Sequence, residues 1–531
     1  MGPVIKRLTD PVSPCAPATG PDFLFERTRH PGIALDRVQT EGKTPLRVMK
    51  FGGTSVGDAS CIRRVIGIVH GAARDHQLVV VVSAMNGVTN RLIEAASRSV
   101  EGDSSSVASI LGALRQKHEM AATELISSAS ERDRVIRKMK ELFEQADHLC
   151  REIIHMRQLT PRASDSVSSL GERLSTPIIS AALGGRGVAS EAIEATELVV
   201  TDACHGAAEP QMDLTRERSR TRLLSLLQRG VVPVVTGFIG ATVEGTLTTL
   251  GRGGSDYSAT ILGAALDADE IVIWKDVDGV LTADPRLVPA ARIIPEISYS
   301  QAAELAQFGA KVLHPKTLRP VIPQGIPVRI RNTFALEEHG TKISMTGPAG
   351  DVGVRTVTAM NDVALITLGG AALADAADRL SLVSAAITAV RADSLLIFQS
   401  SPASDIRVVV PSALANLAID ALSRAFANEL ACSQAAGITV DLNVALVTAA
   451  GWNAHDTAPL AKYVSDAVGC LSVSVTASEQ DSQRANLSFV VAPKDVQAAL
   501  TAIHGELGPG DVKPHTLSVK TTCCGRASSR R

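Results

Sequence analysis

The sequence predicts an α/β protein: a three-layer α/β/α sandwich on a parallel sheet, followed by two small ferredoxin-like (βαββαβ) units. Three observations carry this. Apolar, β-branched runs at 79–82, 231–235 and 271–273 alternate with stretches of helical periodicity such as 214–229 and 256–266. Strands that are apolar on both faces and separated by helices belong to a parallel sheet covered on both sides. Beyond a linker marked by Gly347, Pro348, Gly350 and Gly353, the chain repeats itself. Val363-Ala-Leu-Ile-Thr367 recurs as Val444-Ala-Leu-Val-Thr448, and Val409-Val410 recurs as Val490-Val491 at the same offset. Each copy reads strand, helix, strand, strand, helix, which is the run of a small ferredoxin-like unit.

Taken in order, residues 1–45 are proline-rich, carry Asp10, Asp22 and Glu26, and lack the apolar core of a secretory signal, so they read as a disordered extension. Leu46 to Phe51 is a short apolar strand, Gly52, Gly53, Thr54 and Ser55 follow, and 58–74 has helical periodicity. Lys50 thus stands at the mouth of a strand-loop-helix anion site. Residues 105–156 are mostly helical and charged and read as a surface insertion forming part of a substrate lobe.

The stretch TLTTLGRGGSDYSAT at 246–260 places a guanidinium, two glycines, a hydroxyl and a carboxylate at Arg252, Gly253, Gly254, Ser255 and Asp256, where a strand turns into a helix. Locally this is either a glycine turn capped by Ser255 or Asp256, or a helix N-terminus whose amides face an anion while Arg252 grips a carboxylate. Neither glycine loop is a Walker sequence, because Gly42-Lys43-Thr44 lacks the upstream glycine, and no G-x-G-x-x-G follows a strand.

Composition removes several classes. With 53 basic and 55 acidic residues and 3% aromatics, the chain has neither the field nor the stacking surface of a nucleic-acid binder. Its eight cysteines form no C-x-x-C pair and no zinc spacing, which fits a reduced cytoplasmic protein, and no protein metal ligand is expected. No apolar run nears the roughly 18 residues needed to span a bilayer. The basic tail from 511, with Arg526, Arg530 and Arg531, reads as flexible.

Six motifs in one order now carry a resemblance: K50-F-G-G-T-S, V-V-V-V-S-A-M-N-G-V-T-N at 79–90, S-L-G-E-R-L-S-T at 169–176, T-L-G-R-G-G-S-D-Y-S, W-K-D-V-D-G-V-L-T-A-D-P-R at 274–286 and F-G-A-K-V-L-H-P at 308–315. The chain resembles the aspartate kinases of the amino-acid kinase family. In detail it looks like the kinase portion of enzymes that fuse aspartate kinase to homoserine dehydrogenase, with the dehydrogenase portion expected to be absent. The resemblance implies an amino-acid kinase domain at 46–345 and tandem ACT domains at 346–435 and 436–510. The activity it implies is ATP- and Mg2+-dependent phosphorylation of L-aspartate to 4-phospho-L-aspartate, the entry to lysine, threonine and methionine biosynthesis. A homodimer or homotetramer is implied too. The alternatives are a glutamate-type amino-acid kinase and a catalytically silent ACT sensor.

Under this resemblance Lys50 and Asp256 are the catalytic pair, although Asp256 also reads as an N-cap. Arg252 pairs with the α-carboxylate of aspartate and Glu172 with its α-ammonium, while Ser83, Thr89, Gly253, Gly254 and Ser255 complete the substrate site. Lys50, Gly52, Gly53, Lys275, Asp276, Leu281, Arg286, Lys311 and Val312 face ATP. Leu281 stands where the family often has tyrosine, which removes one ring contact to the nucleotide. The resemblance also places a lysine or threonine effector at the ACT domains. The first effector loop, Gly369 to Ala372, keeps its glycines and Gln399 follows. The second is filled by Trp452 to His455, with Ser478 near the recurring glutamine position, so altered feedback is expected.

Overall fold

The structure, a computed structural model, describes residues 44–307, 313–347, 353–369, 376–390, 396–399, 405–431, 437–452, 480–481 and 484–506. The chain forms two compact units, dividing after Trp274. In the first, β1 (Leu46–Phe51), β2 (Gln77–Val82), β3 (Ser190–Ile193), β4 (Val232–Thr236) and β7 (Glu270–Lys275) form a parallel sheet in the order β3-β4-β2-β1-β7. Every residue of β4 is buried, as are all of β2 after Gln77. The continuous valine and isoleucine runs are thus explained by helices on both faces. A short hairpin, β5 (Ile239–Ala241) with β6 (Leu247–Thr249), projects between β4 and β7 in sequence.

Among the described residues, four helices of this unit start on side-chain caps, at Asp58, Asp103, Ser128 and Thr160. α1 (Ala59–Ala72) begins at Asp58, whose carboxylate accepts from the Cys61 amide at 2.8 Å. After α2 (Val88–Glu101), α3 (Ser104–Leu125) is capped by Asp103, and α4 (Ala129–Met156) follows. The pair α3 and α4 is not a surface insertion. Ile110, Leu114, Met139, Leu142 and Phe143 recur at helical spacing and are buried in the same core as Phe51 and Val82. Their many charges occupy only the outer face, which is why composition misled. α5 (Pro161–Ser168) leads through Ser169 into α6 (Leu170–Gly184), and α7 (Met212–Gln228) and α8 (Gly254–Leu266) complete the unit.

In the second unit, β8 (Glu296–Ser298), β9 (Val328–Asn332) and β10 (Thr341–Ser344) line up as β9-β10-β8, with α9 (Tyr299–Gln307) after β8. A six-stranded sheet follows in the order β12-β13-β11-β14-β16-β15: β11 (Gly353–Gly369), β12 (Leu396–Gln399), β13 (Ile406–Pro411), β14 (Gly437–Trp452), β15 (Gln480–Asp481) and β16 (Arg484–Val491). The helices described with it are α10 (Ala376–Ala389), α11 (Ala415–Ala425), α12 (Ala427–Ala431) and α13 (Val496–Glu506).

The order is symmetric about β11 and β14, and the repeat seen in sequence explains it. Leu365 pairs with Val409 as Leu446 pairs with Val490, and the repeat mates Val363 and Val444 pair with each other. Both central strands are used twice. Residues 363–368 of β11 pair with β13 and residues 365–369 with the start of β14; residues 353–360 pair with the end of β14, whose residues 445–450 pair with β16. Each four-stranded half therefore takes its fourth strand from the other copy's central strand. Among the described residues the two copies of the repeat interlock through β11 and β14.

Candidate functional site

A cleft of ≈ 400 Å³ opens beside the carboxyl ends of β1, β2 and β4, lined by Lys50, Ser83, Thr89, Glu172, Phe238 and the turn from Gly251 to Asp256. Ligands of open α/β sheets bind at this edge. Backbone bonds draw the strand ends together: the Ser83 amide donates to Phe51 O at 3.1 Å and the Gly237 amide to Val82 O at 2.8 Å. All nine residues expected from sequence to be catalytic or substrate-binding line this one cleft.

Lys50 and Asp256 form an ion pair of 2.6 Å, with side chains only 7% exposed each. β1 delivers the lysine and the first turn of α8 the aspartate, on a helix whose every residue except Ser255 is buried. The pair is therefore held by core packing. Glu172, in the first turn of α6, is buried and its Oε2 has no hydrogen-bond partner. Burial pushes its carboxyl up to about 8, against the weaker opposing pull of backbone amides and Lys50. A buried, unsatisfied carboxylate oxygen facing a cleft suits a cationic ligand. Arg252 lines the same cleft, is exposed, and has no ion-pair partner among the described residues. The cleft thus brings one acidic and one basic side chain together with a buried Lys–Asp pair.

The loops have steric reasons. Gly171 lets α6 approach the loop after β2, since a Cβ there would stand 2.6 Å from Ala84 Cβ; the Ser175 hydroxyl then donates to Ser83 O at 2.8 Å. Gly251 and Gly253 both have φ of 73°, which only glycine adopts freely. Two expectations are corrected. The N-cap of α8 is Gly253, so Asp256 is the third helical residue and not a cap, which leaves its carboxylate for Lys50. Nor are all the glycine amides open: Gly254 donates to Gly251 O at 2.9 Å and Gly52 to Trp274 O at 3.2 Å. These bonds shape the turns and leave those two amides engaged within the chain.

Phe238 was not foreseen. It lines the cleft with φ of 72°, a conformation disfavoured for a bulky residue, and is held by the Ser258 hydroxyl, which accepts its amide at 2.9 Å. A backbone outlier leaves no trace in hydrophobic periodicity, and only its place between Gly237 and Gly240 hinted at a turn.

Of the expected nucleotide residues, Lys50 lines the cleft, Gly52 and Gly53 form the loop beside it, and Lys275, Asp276, Leu281 and Arg286 belong to the second unit. Lys311 and Val312 lie outside the described residues, as do Gly370 to Ala372, Asn453 to His455 and Ser478. Arg286 is largely exposed and pairs with Asp284 at 2.6 Å. The segment that carries it packs on the six-stranded sheet: Val357 donates its amide to Thr282 O at 2.8 Å, and Ala283 and Val288 join the core of Phe489 and Ile503. Among the described residues there is no cluster of three metal-ligating side chains, and no helix is long and apolar enough to cross a membrane.

Comparison with known proteins fits this geometry. Residues 45–332 match the amino acid kinase family, and the chain belongs to that family. It is 29% identical over 500 residues to bifunctional aspartokinase/homoserine dehydrogenase 1 of Arabidopsis thaliana, covering 90% of this chain and 54% of the relative. It is 36% identical to aspartokinase 2 of the same plant, covering 62% of this chain and 59% of that protein. The chain thus spans about half the length of the bifunctional relatives it matches. Among solved structures it is similar to E. coli aspartokinase III in complex with aspartate and ADP (R-state), with TM-score 0.70 and 28% identity over 87% of this chain and 99% of that one. The same enzyme in complex with lysine and aspartate (T-state) gives a TM-score of 0.69, again at 28% identity and 87% coverage, here with 100% of that chain.

Proposed function

We propose that the protein is an aspartate kinase, transferring the γ-phosphoryl group of ATP to the side-chain carboxylate of L-aspartate to give 4-phospho-L-aspartate and ADP. The observation that carries this is that the guanidinium of Arg252 and the buried carboxyl of Glu172 line one cleft with the Lys50–Asp256 ion pair. A small zwitterion with a second carboxylate satisfies all three: Arg252 takes the α-carboxylate, Glu172 the α-ammonium, and the remaining carboxylate is left beside Lys50. Ser83 and Thr89 supply hydroxyls at the cleft wall, and Gly253 and Ser255 set the turn. As two anions must meet, Lys50 offsets charge on the transferring phosphoryl while Asp256 orients the lysine. Magnesium would arrive with the ATP phosphates, since no three metal-ligating side chains cluster among the described residues. The kinase region is taken as 46–345, with Lys275, Asp276, Leu281 and Arg286 on the nucleotide side.

The direct test is hydroxylamine trapping of the acyl phosphate with aspartate, ATP and magnesium. Hydroxamate with glutamate but not aspartate moves the assignment to a glutamate-type kinase, and none with either points to a silent sensor. Arg252→Ala is expected chiefly to raise KM for aspartate, by about 2 to 4 kcal/mol in binding, with kcat less affected. Equal and small changes in both constants would remove Arg252 from the substrate site.

The interlocked sheet is proposed to bind an amino-acid effector, lysine or threonine, with one pocket kept and the other altered. Support comes from the packing of the Leu281–Arg286 segment on that sheet, which gives an effector a route to the nucleotide side. Titration of lysine, threonine and both together is expected to give weakened, incomplete inhibition. Full cooperative inhibition by either at sub-millimolar concentration would overturn this.

A further inference from the structure

Asp165 takes no part in the chemistry above, yet its buried carboxylate gathers four hydrogen bonds. Its Oδ1 accepts from Thr249 Oγ1 at 2.6 Å, and its Oδ2 accepts from the Thr249 amide at 3.1 Å, the Gly206 amide at 3.2 Å and His205 Nδ1 at 2.7 Å. These donors come from two segments distant from α5 in sequence, 205–206 and Thr249. Thr249 ends β6, three residues before Arg252, and its carbonyl accepts from the Ala208 amide at 2.9 Å. Gly251 lies so close to this second segment that a Cβ would stand 2.6 Å from Gly206 O. The carboxylate therefore clamps the root of the Arg252 turn to the 205–208 segment. It also sits on the helix that runs through Ser169 into α6, seven residues before Glu172.

We propose that Asp165 is a positioning residue that keeps Arg252 in register with Glu172, so that the cleft can grip the carboxylate and the ammonium of its amino-acid substrate together. Resting on the aspartate kinase reading, this predicts a defect confined to that substrate. Asp165→Asn keeps the shape but turns an amide group toward the donors of Thr249, Gly206 and His205.

The experiment is steady-state kinetics of wild-type and variant full-length protein, with thermal unfolding alongside. Absence of aspartate turnover in the wild type would defeat the functional reading itself, so the inference is judged where wild type turns over. Asp165→Asn is then expected to raise KM for aspartate on the order of tenfold or more, with KM for ATP and kcat within about twofold. In an Arg252→Ala background the same change should add less than about twofold to KM, because its effect passes through Arg252. An unchanged KM for aspartate, a loss confined to kcat, or full additivity with Arg252→Ala overturns the proposal. If Asp165→Asn does not fold, Thr249→Val and Thr249→Ser decide in the same terms. Valine, which deletes the Oγ1 donor, should raise KM and serine should restore it; wild-type KM in both overturns the proposal.

Discussion

Replacing Lys50 with alanine is expected to lower kcat by about two to three orders of magnitude, the usual cost of removing a preorganised charge from a transition state, while KM for aspartate changes by less than about threefold. The lysine is buried near the end of β1 and fixed by Asp256 at 2.6 Å, so under the proposed function its charge is in place before transfer begins. The same substitution leaves Asp256 buried without its cation, which should cost about 3–5 kcal/mol of folding stability. The two effects separate in a double variant. Lys50→Ala with Asp256→Ala should regain much of the stability in denaturant titration and none of the turnover. Recovery of turnover, or a loss seen only in KM, would remove Lys50 from the transfer step.

The kcat/KM for aspartate is expected to rise with pH through a group near 8, and Glu172→Gln should flatten that limb and raise KM. Burial holds the Glu172 carboxyl up to about 8 in the free protein, so near pH 7 most molecules carry it protonated and unable to pair with an ammonium. If the carboxylate is the binding form, its fraction grows about tenfold between pH 7 and 9. Stability moves the other way. The folded state holds a proton that the unfolded state releases near the ordinary glutamate value of about 4.5, so this group's contribution is present below that value and lost as pH rises toward 8. Glu172→Gln should remove that slope from the unfolding free energy. A flat kcat/KM profile between pH 6.5 and 8.5, or a limb retained in Glu172→Gln, would exclude the role.

Much of this was legible in the chain, for identifiable reasons. Apolar β-branched runs separated by helices mark buried parallel strands, so β2, β4 and β7 were found to within two residues at each end. The repeat was visible because each copy must present the same alternation to the same neighbours, and the pairing of Leu365 with Val409 and Leu446 with Val490 reflects that. Residues with charge or glycine in an unusual density, from Arg252 to Asp256, marked the cleft. What sequence could not give was partnership. The clamp by Asp165 joins residues 84 positions apart, and the φ of Phe238 and the engaged amides of Gly52 and Gly254 depend on packing that no local pattern encodes. The depth of α3 and α4 was missed because charge on one helix face outweighed the apolar stripe on the other.

No cut between Pro411 and Gly437 yields two whole modules. Ending the chain after α11 would strip residues 437–441 from the flank of β11, and starting it at β14 would strip residues 353–360 from the flank of the other half. Either fragment would expose a long run of unpaired backbone donors and acceptors, the surface on which strands of other chains add. The duplicated segment is thus a single indivisible piece of protein: its copies are separable on paper, yet each is the guard of the other's open edge. Shuffling, deletion or exchange of one copy alone would carry a penalty in solubility before any effect on a ligand could be felt.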